Sequence, residues 1–147
     1  MSDEKDVKIK KIYPARDESK EELPLFYPKA AAGFPSPADD FMQEKLSLNT
    51  LLIKNPATTF FVNVEGNSMK GAGIFDGDTL IVDRAVEPEE SSIVIASVNG
   101  ELTVKRIERK RGKLYLVPEN NNYPPIEISE ETDLKIWGVV IYSIHKF

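Results

Sequence analysis

The amino-acid sequence predicts a mainly β protein: a compact, curved antiparallel β domain with an extended N-terminal arm and one short helix. Three observations carry this. From residue 58 onward, short runs rich in Val, Ile, Thr and aromatic residues recur at close spacing, each bounded by Gly, Pro, Asn or Asp. Asn99-Gly100 separates two such runs, and a type I′ hairpin turn needs two residues that tolerate positive φ. Residues 1–30, by contrast, are dense in charge, carry three prolines and hold no sustained periodicity.

Within that arm, VKIKKIY (7–13) alternates and forms a strand if it finds a sheet edge. Leu23, Leu25, Phe26 and Tyr27 are too apolar for a simple linker and are expected to dock, on this chain or on a second copy. Residues 30–56 hold helical signals. Ser36 is a candidate N-cap with Pro37 at the first helical position, and Asp39 and Asp40 suit a first turn. Phe41, Met42, Lys45 and Leu46 supply a short amphipathic face, and Leu48, Leu51, Leu52 and Ile53 extend it until Asn55-Pro56 stops it. One or two short helical turns are expected. The strand runs follow at 58–64, 78–84, 92–98, 101–109, 113–119, 126–129 and 134–147, with Arg111-Gly112 turning a second hairpin.

A chain of 147 residues fits one modest domain, and 41% hydrophobic with 29% charged residues is an ordinary globular balance. No cysteine is present, which removes disulfides, thiolate metal sites and cysteine nucleophiles. No apolar run approaches the roughly 20 residues of a membrane span, and the N-terminus lacks a signal-peptide core, so no membrane association and a cytoplasmic location are expected. Net charge is −5, with one basic cluster at 105–113 broken by Glu108. Phosphate neutralisation supplies most nucleic-acid affinity, so direct sequence-specific DNA binding is not expected and protein partners are.

Ser68 and Lys105 are the candidate reactive pair. Ser68 follows a strand through the turn Glu65-Gly66-Asn67, and a serine there presents its hydroxyl beside free backbone N–H groups. Lys105 lies in ELTVKRIER, where alternation puts Thr103, Lys105 and Ile107 on one side and Leu102, Val104 and Arg106 on the other. A lysine serving as base near neutral pH must shed a proton that an ordinary ammonium keeps to about pH 10.4, a difference of roughly 3–4 kcal/mol. Burial against apolar walls acts in that direction. His145 is the sole imidazole, two residues from the C-terminus, which leaves a Ser-His-Asp triad poorly anchored. Asp76 and Asp78 lack calcium-loop spacing, GNSMKGAG has no P-loop ending, and neither a metal nor a cofactor is expected.

Together G-N-S-M (66–69), GIFDGDTLIVDRA (73–85) and VNGELTVKRI (98–107) resemble the LexA/UmuD family of self-cleaving Ser-Lys peptidases, and AAAGFPSPADDF (30–41) resembles the cleavage region of its UmuD branch. The resemblance covers roughly residues 30–145. It implies Ser68 as nucleophile, Lys105 as general base, the N–H groups of Ser68 and Met69 as oxyanion donors, and Ala32–Gly33 as the scissile bond. It further implies an arm (1–32) removed from a peptidase domain (33–147), a homodimer, a RecA–single-stranded-DNA filament as co-protease, and a UmuC-like translesion DNA polymerase as partner. LexA-like repressors carry a helix-turn-helix module ahead of the peptidase domain; the roughly 30 residues before Ala32 have too few apolar positions for one. Asn67 stands where many relatives carry an acidic residue. The alternative reading is a non-catalytic β domain that binds a protein partner through its N-terminal arm.

Overall fold

The computed structural model describes residues 6–15, 22–28 and 41–147. They fall into two compact units, one built from the chain up to Ala15 together with Asn55–Phe147, the other within Arg16–Lys54. In chain order the strands are β1 (Lys8–Pro14), β2 (Glu22–Pro28), β3 (Phe41–Ser47), β4 (Thr59–Glu65), β5 (Thr79–Asp83), β6 (Ile93–Val98), β7 (Glu101–Lys110), β8 (Lys113–Val117), β9 (Ile126–Ile128) and β10 (Leu134–Ile144). The helix α1 (Leu48–Leu52) follows β3, and 3-10 turns occupy Pro56–Thr58 and Lys70–Ala72.

The smaller unit is a ribbon. β2 and β3 pair antiparallel in unbroken register from Glu22 opposite Ser47 to Pro28 opposite Phe41. This corrects the helical face expected of Phe41, Met42, Lys45 and Leu46, which belong to a strand. A helix of so few residues is marginal without packing, whereas a partner strand of equal length satisfies the backbone of 41–47 pair by pair. Helix formation is confined to Leu48–Leu52, where the Ser47 hydroxyl accepts from the Thr50 N–H at 3.4 Å. The N-cap expected at Ser36, with Pro37, Asp39 and Asp40, lies outside the described residues. The apolar run containing Leu23, Leu25, Phe26 and Tyr27 pairs with β3 of the same chain.

The larger unit is one antiparallel sheet in the order β1-β4-β5-β10-β6-β7-β8-β9. All seven strands expected after residue 58 are present, and the alternating piece at 7–13 does find an edge, as β1 on β4. Asn99 and Gly100 have φ of 50° and 87°, and Arg111 and Gly112 of 53° and 76°, so both hairpins turn where the sequence placed them. The sheet is strongly curved. β10 pairs with β5 and β6 through register shifts at Val140/Tyr142 and Ile136/Gly138, and such bulges sharpen the local twist. Gly138 sits at one of them because a Cβ there would lie 2.6 Å from Val82 Cγ1. Curling brings the first strand of the order against the sixth, β1 against β7. Between them the inward residues Val62, Val64, Leu80, Val82, Ile95 and Val104 form the main core, closed from the arm by Val7.

Asp83, buried at the end of β5, ties the entry of β4 to the sheet. Its carboxylate accepts from Asn55 Nδ2 at 2.8 Å, Thr58 Oγ1 at 2.7 Å and the Ala85 N–H at 2.9 Å. Burial pushes its pKa up, but these hydrogen bonds from Asn55, Ala85 and Thr58 outweigh it and hold the carboxyl below its ordinary value of 3.8. Its stabilisation is therefore complete above 3.8 and is lost as pH falls through the lowered folded value. Asp83→Ala is expected to cost about 2–3 kcal/mol at neutral pH in urea unfolding. The variant should also lose part of the acid dependence; an unchanged midpoint contradicts this role.

Candidate active site

β4 delivers the chain into Glu65-Gly66-Asn67 and then Ser68. Gly66 takes φ 103°, and its N–H donates to Asp76 Oδ1 at 2.8 Å. Met69 is fully buried in the main core, so the residue after Ser68 is the anchor of the turn. The turn's own hydrogen bonds begin with the Lys70 N–H, which donates to the Asn67 carbonyl at 3.1 Å, so the N–H groups of Ser68 and Met69 precede it. A second clamp comes from the loop after β8. Gly71 N–H donates to the Glu119 carbonyl at 2.7 Å, at an approach that leaves no space for a Cβ, and Asn120 Nδ2 donates to the Asn67 carbonyl at 3.0 Å.

Lys105 comes from the middle of β7, where Thr103, Val104 and Lys105 are all buried because both faces of the strand are covered at that point. The lysine is 2% exposed and Ser68 0%. Nζ lies 3.5 Å from Ser68 Oγ. Its other contacts are shorter: Thr103 Oγ1 at 3.0 Å, the Val104 carbonyl at 3.3 Å, and Asp6 Oδ1 at 2.7 Å.

Sequence reasoning did not anticipate Asp6 and Val7 at this place. The signal lay in the pairing: β1 runs antiparallel to β4 with Lys8 opposite Glu65, so the residues before Lys8 continue past the end of β4 onto the Ser68 turn. Val7 N–H donates to Ser68 Oγ at 2.9 Å and to Asp6 Oδ1 at 2.9 Å. Burial raises the Asp6 pKa, yet hydrogen bonds from Lys105 and Ser68, the Lys105 charge and the Val7 N–H outweigh this and hold the carboxyl below its usual 3.8. An open cleft of about 460 Å³ is walled by Asp6 and Val7 on one side and by Asn99, Leu102 and Thr103 of the β6–β7 hairpin on the other; Asp6, Val7 and Thr103 stand between it and the pair, neither member of which lines it.

The remaining candidates are elsewhere. His145 Nδ1 contacts Asp78 Oδ1 at 2.5 Å, and Asp78 also accepts from the Phe75 N–H, so this imidazole is occupied in holding the C-terminal strand. Asp76 accepts from the Gly66 N–H of the Ser68 turn, and Asp78 accepts from the Phe75 N–H and the Ser143 hydroxyl, so both carboxylates are used structurally. Among the described residues no cluster of His, Cys, Asp and Glu is able to hold a metal ion, and no helix is long and apolar enough to cross a membrane. Ala32 and Gly33 lie outside the described residues, in the segment that joins Pro28 to Phe41, whose ends the ribbon register sets opposite each other.

A hydroxyl and an amine sequestered together in a curved antiparallel sheet supply what a serine peptidase needs when no imidazole is at hand. Comparison with known proteins agrees in class: residues 24–141 match the Peptidase S24-like family. The chain belongs to that family, and is a self-cleaving serine peptidase of the LexA/UmuD kind. It is 44% identical to the protein SamA of Salmonella typhimurium over 92% of this chain and 94% of that one. It is 37% identical to the protein MucA of Escherichia coli over 83% and 84%, respectively. A LexA repressor from Hahella chejuensis is 36% identical over 90% of this chain but only 66% of its own length.

Proposed function

We propose that the chain cuts its own Ala32–Gly33 bond as a switch of the SOS DNA-damage response, with Ser68 as nucleophile and Lys105 as base. The observation that carries this is the buried approach of Lys105 Nζ to Ser68 Oγ, 3.5 Å, in a chain of this family. Catalytic hydrogen bonds are often long before substrate is bound.

In the reaction, neutral Lys105 accepts the Ser68 proton as Oγ attacks the Ala32 carbonyl carbon. The N–H groups of Ser68 and Met69 receive the oxyanion. Lys105, now an ammonium, protonates the Gly33 nitrogen as the C–N bond breaks, leaving an Ala32 ester on Ser68. Water, deprotonated by Lys105, then hydrolyses that ester and restores both side chains. Ala32 suits a narrow pocket, and Gly33 permits close backbone approach. Because substrate and catalyst share a chain, high effective concentration replaces tight recognition. The rate then follows how often the scissile segment occupies the cleft, and a RecA filament on single-stranded DNA raises that fraction without supplying chemical groups. The processed peptidase domain, residues 33–147, acts in the cytoplasm as a homodimeric accessory subunit of a UmuC-like translesion polymerase.

The test is to incubate the purified full-length chain alone at alkaline pH, and at neutral pH with RecA filaments, and to weigh the products. Fragments 1–32 and 33–147 are expected under both conditions. An intact chain under both, or a cut at another bond, rejects the assignment.

A further inference from the structure

The Asp6–Val7 dipeptide touches both Ser68 and Lys105. This inference rests on the Ser68/Lys105 reading above and concerns regulation of the same site. We propose that the chain holds its own dyad shut with Asp6 and Val7, so that self-cleavage requires this plug to leave first.

Two contacts and steric exclusion close the site. Asp6 pairs with Lys105 at 2.7 Å, and an ammonium bound to a carboxylate has no lone pair with which to accept the serine proton. Val7 N–H donates to Ser68 Oγ at 2.9 Å, engaging the electrons that would attack a carbonyl. Lastly, the dipeptide takes up space. A scissile carbonyl must come within roughly 3–3.5 Å of Oγ, where the Val7 backbone now lies.

The plug is firmly seated on its Val7 side. Val7 is 2% exposed and belongs to the main core, and beyond it β1 continues along β4 as far as Pro14. Asp6 is different: its side chain is 48% exposed. A half-exposed ion pair beside a well-packed valine gives a closure that is specific yet reversible, because water can replace the carboxylate. The contacts of Nζ fit this picture, since the amine sits closer to Asp6 and to Thr103 than to Ser68. Plug and scissile segment compete for one place, and the observed rate is the intrinsic rate multiplied by the fraction of chains with the plug out.

Two substitutions in the full-length chain test this by different routes. Asp6→Asn keeps the shape and removes the charge; Val7→Asp puts a charge into the apolar seat. Each is followed at neutral pH without filament, by intact mass over time and by labelling of Ser68 with a fluorophosphonate, with the same substitutions on a Ser68→Ala background as controls. Both variants are expected to cut roughly tenfold faster than the natural chain and to label faster, in a Ser68-dependent manner. Ser68-dependent cutting and labelling at an unchanged or lower rate overturn the plug alone. No Ser68-dependent cutting in any variant, even at alkaline pH, overturns the dyad reading and the plug with it.

Discussion

Ser68→Ala is expected to leave a folded protein that stays full length wherever the natural chain is cut, a loss of at least about 10³-fold. The fold should survive because every group that touches the hydroxyl has a second partner. Val7 N–H still reaches Asp6 Oδ1 at 2.9 Å, and Lys105 keeps Asp6 and Thr103. The turn itself hangs on Met69 and on the Glu119 carbonyl, neither of which the substitution alters. Appearance of the 33–147 fragment from purified Ser68→Ala protein shows that another group does the cutting.

For Lys105 the informative replacement is arginine. It keeps a positive charge beside Ser68 but does not release its proton at any pH the fold tolerates, so it separates proton transfer from mere electrostatic attraction. Lys105→Arg and the neutral Lys105→Met are both expected to reduce cutting by about 10²–10⁴-fold. Methionine fills a similar volume but leaves the half-exposed Asp6 carboxylate and the buried Thr103 hydroxyl and Val104 carbonyl without this donor, so a loss of about 1–3 kcal/mol in stability is expected and the variant is checked for folding before its cutting is read. Substantial cutting by the arginine variant, measured over days by intact mass, removes Lys105 from the role of base.

The strands after residue 58 were legible because they are rich in β-branched and aromatic residues and bounded by turn residues. Asn99, Gly100 and Gly112 adopt the positive φ that such residues favour, and Arg111 is drawn into it ahead of its glycine by the two-residue turn. The pair Ser68 and Lys105 was legible through flanking motifs, although nothing local to either residue reveals that both faces of β7 are covered there. Residues 41–47 were misread because their apolar spacing suits a short helix as well as a strand, and the deciding fact is a partner 13 positions earlier in sequence, Pro28 opposite Phe41. Asp6 was invisible for a related reason. Its place depends on the long-range register between β1 and β4, and one residue's slip would turn it away from the lysine.

That same lacing of early strands into later ones bears on what hydrolysis achieves. Severing the chain between Ala32 and Gly33 breaks one covalent link, yet the upstream piece is still laddered to the downstream piece twice, by β1 on β4 and by β2 on β3. The immediate product of the proposed cut is thus expected to be a nicked particle whose two pieces are still associated in solution. Shedding the liberated peptide is a later, slower event with its own barrier.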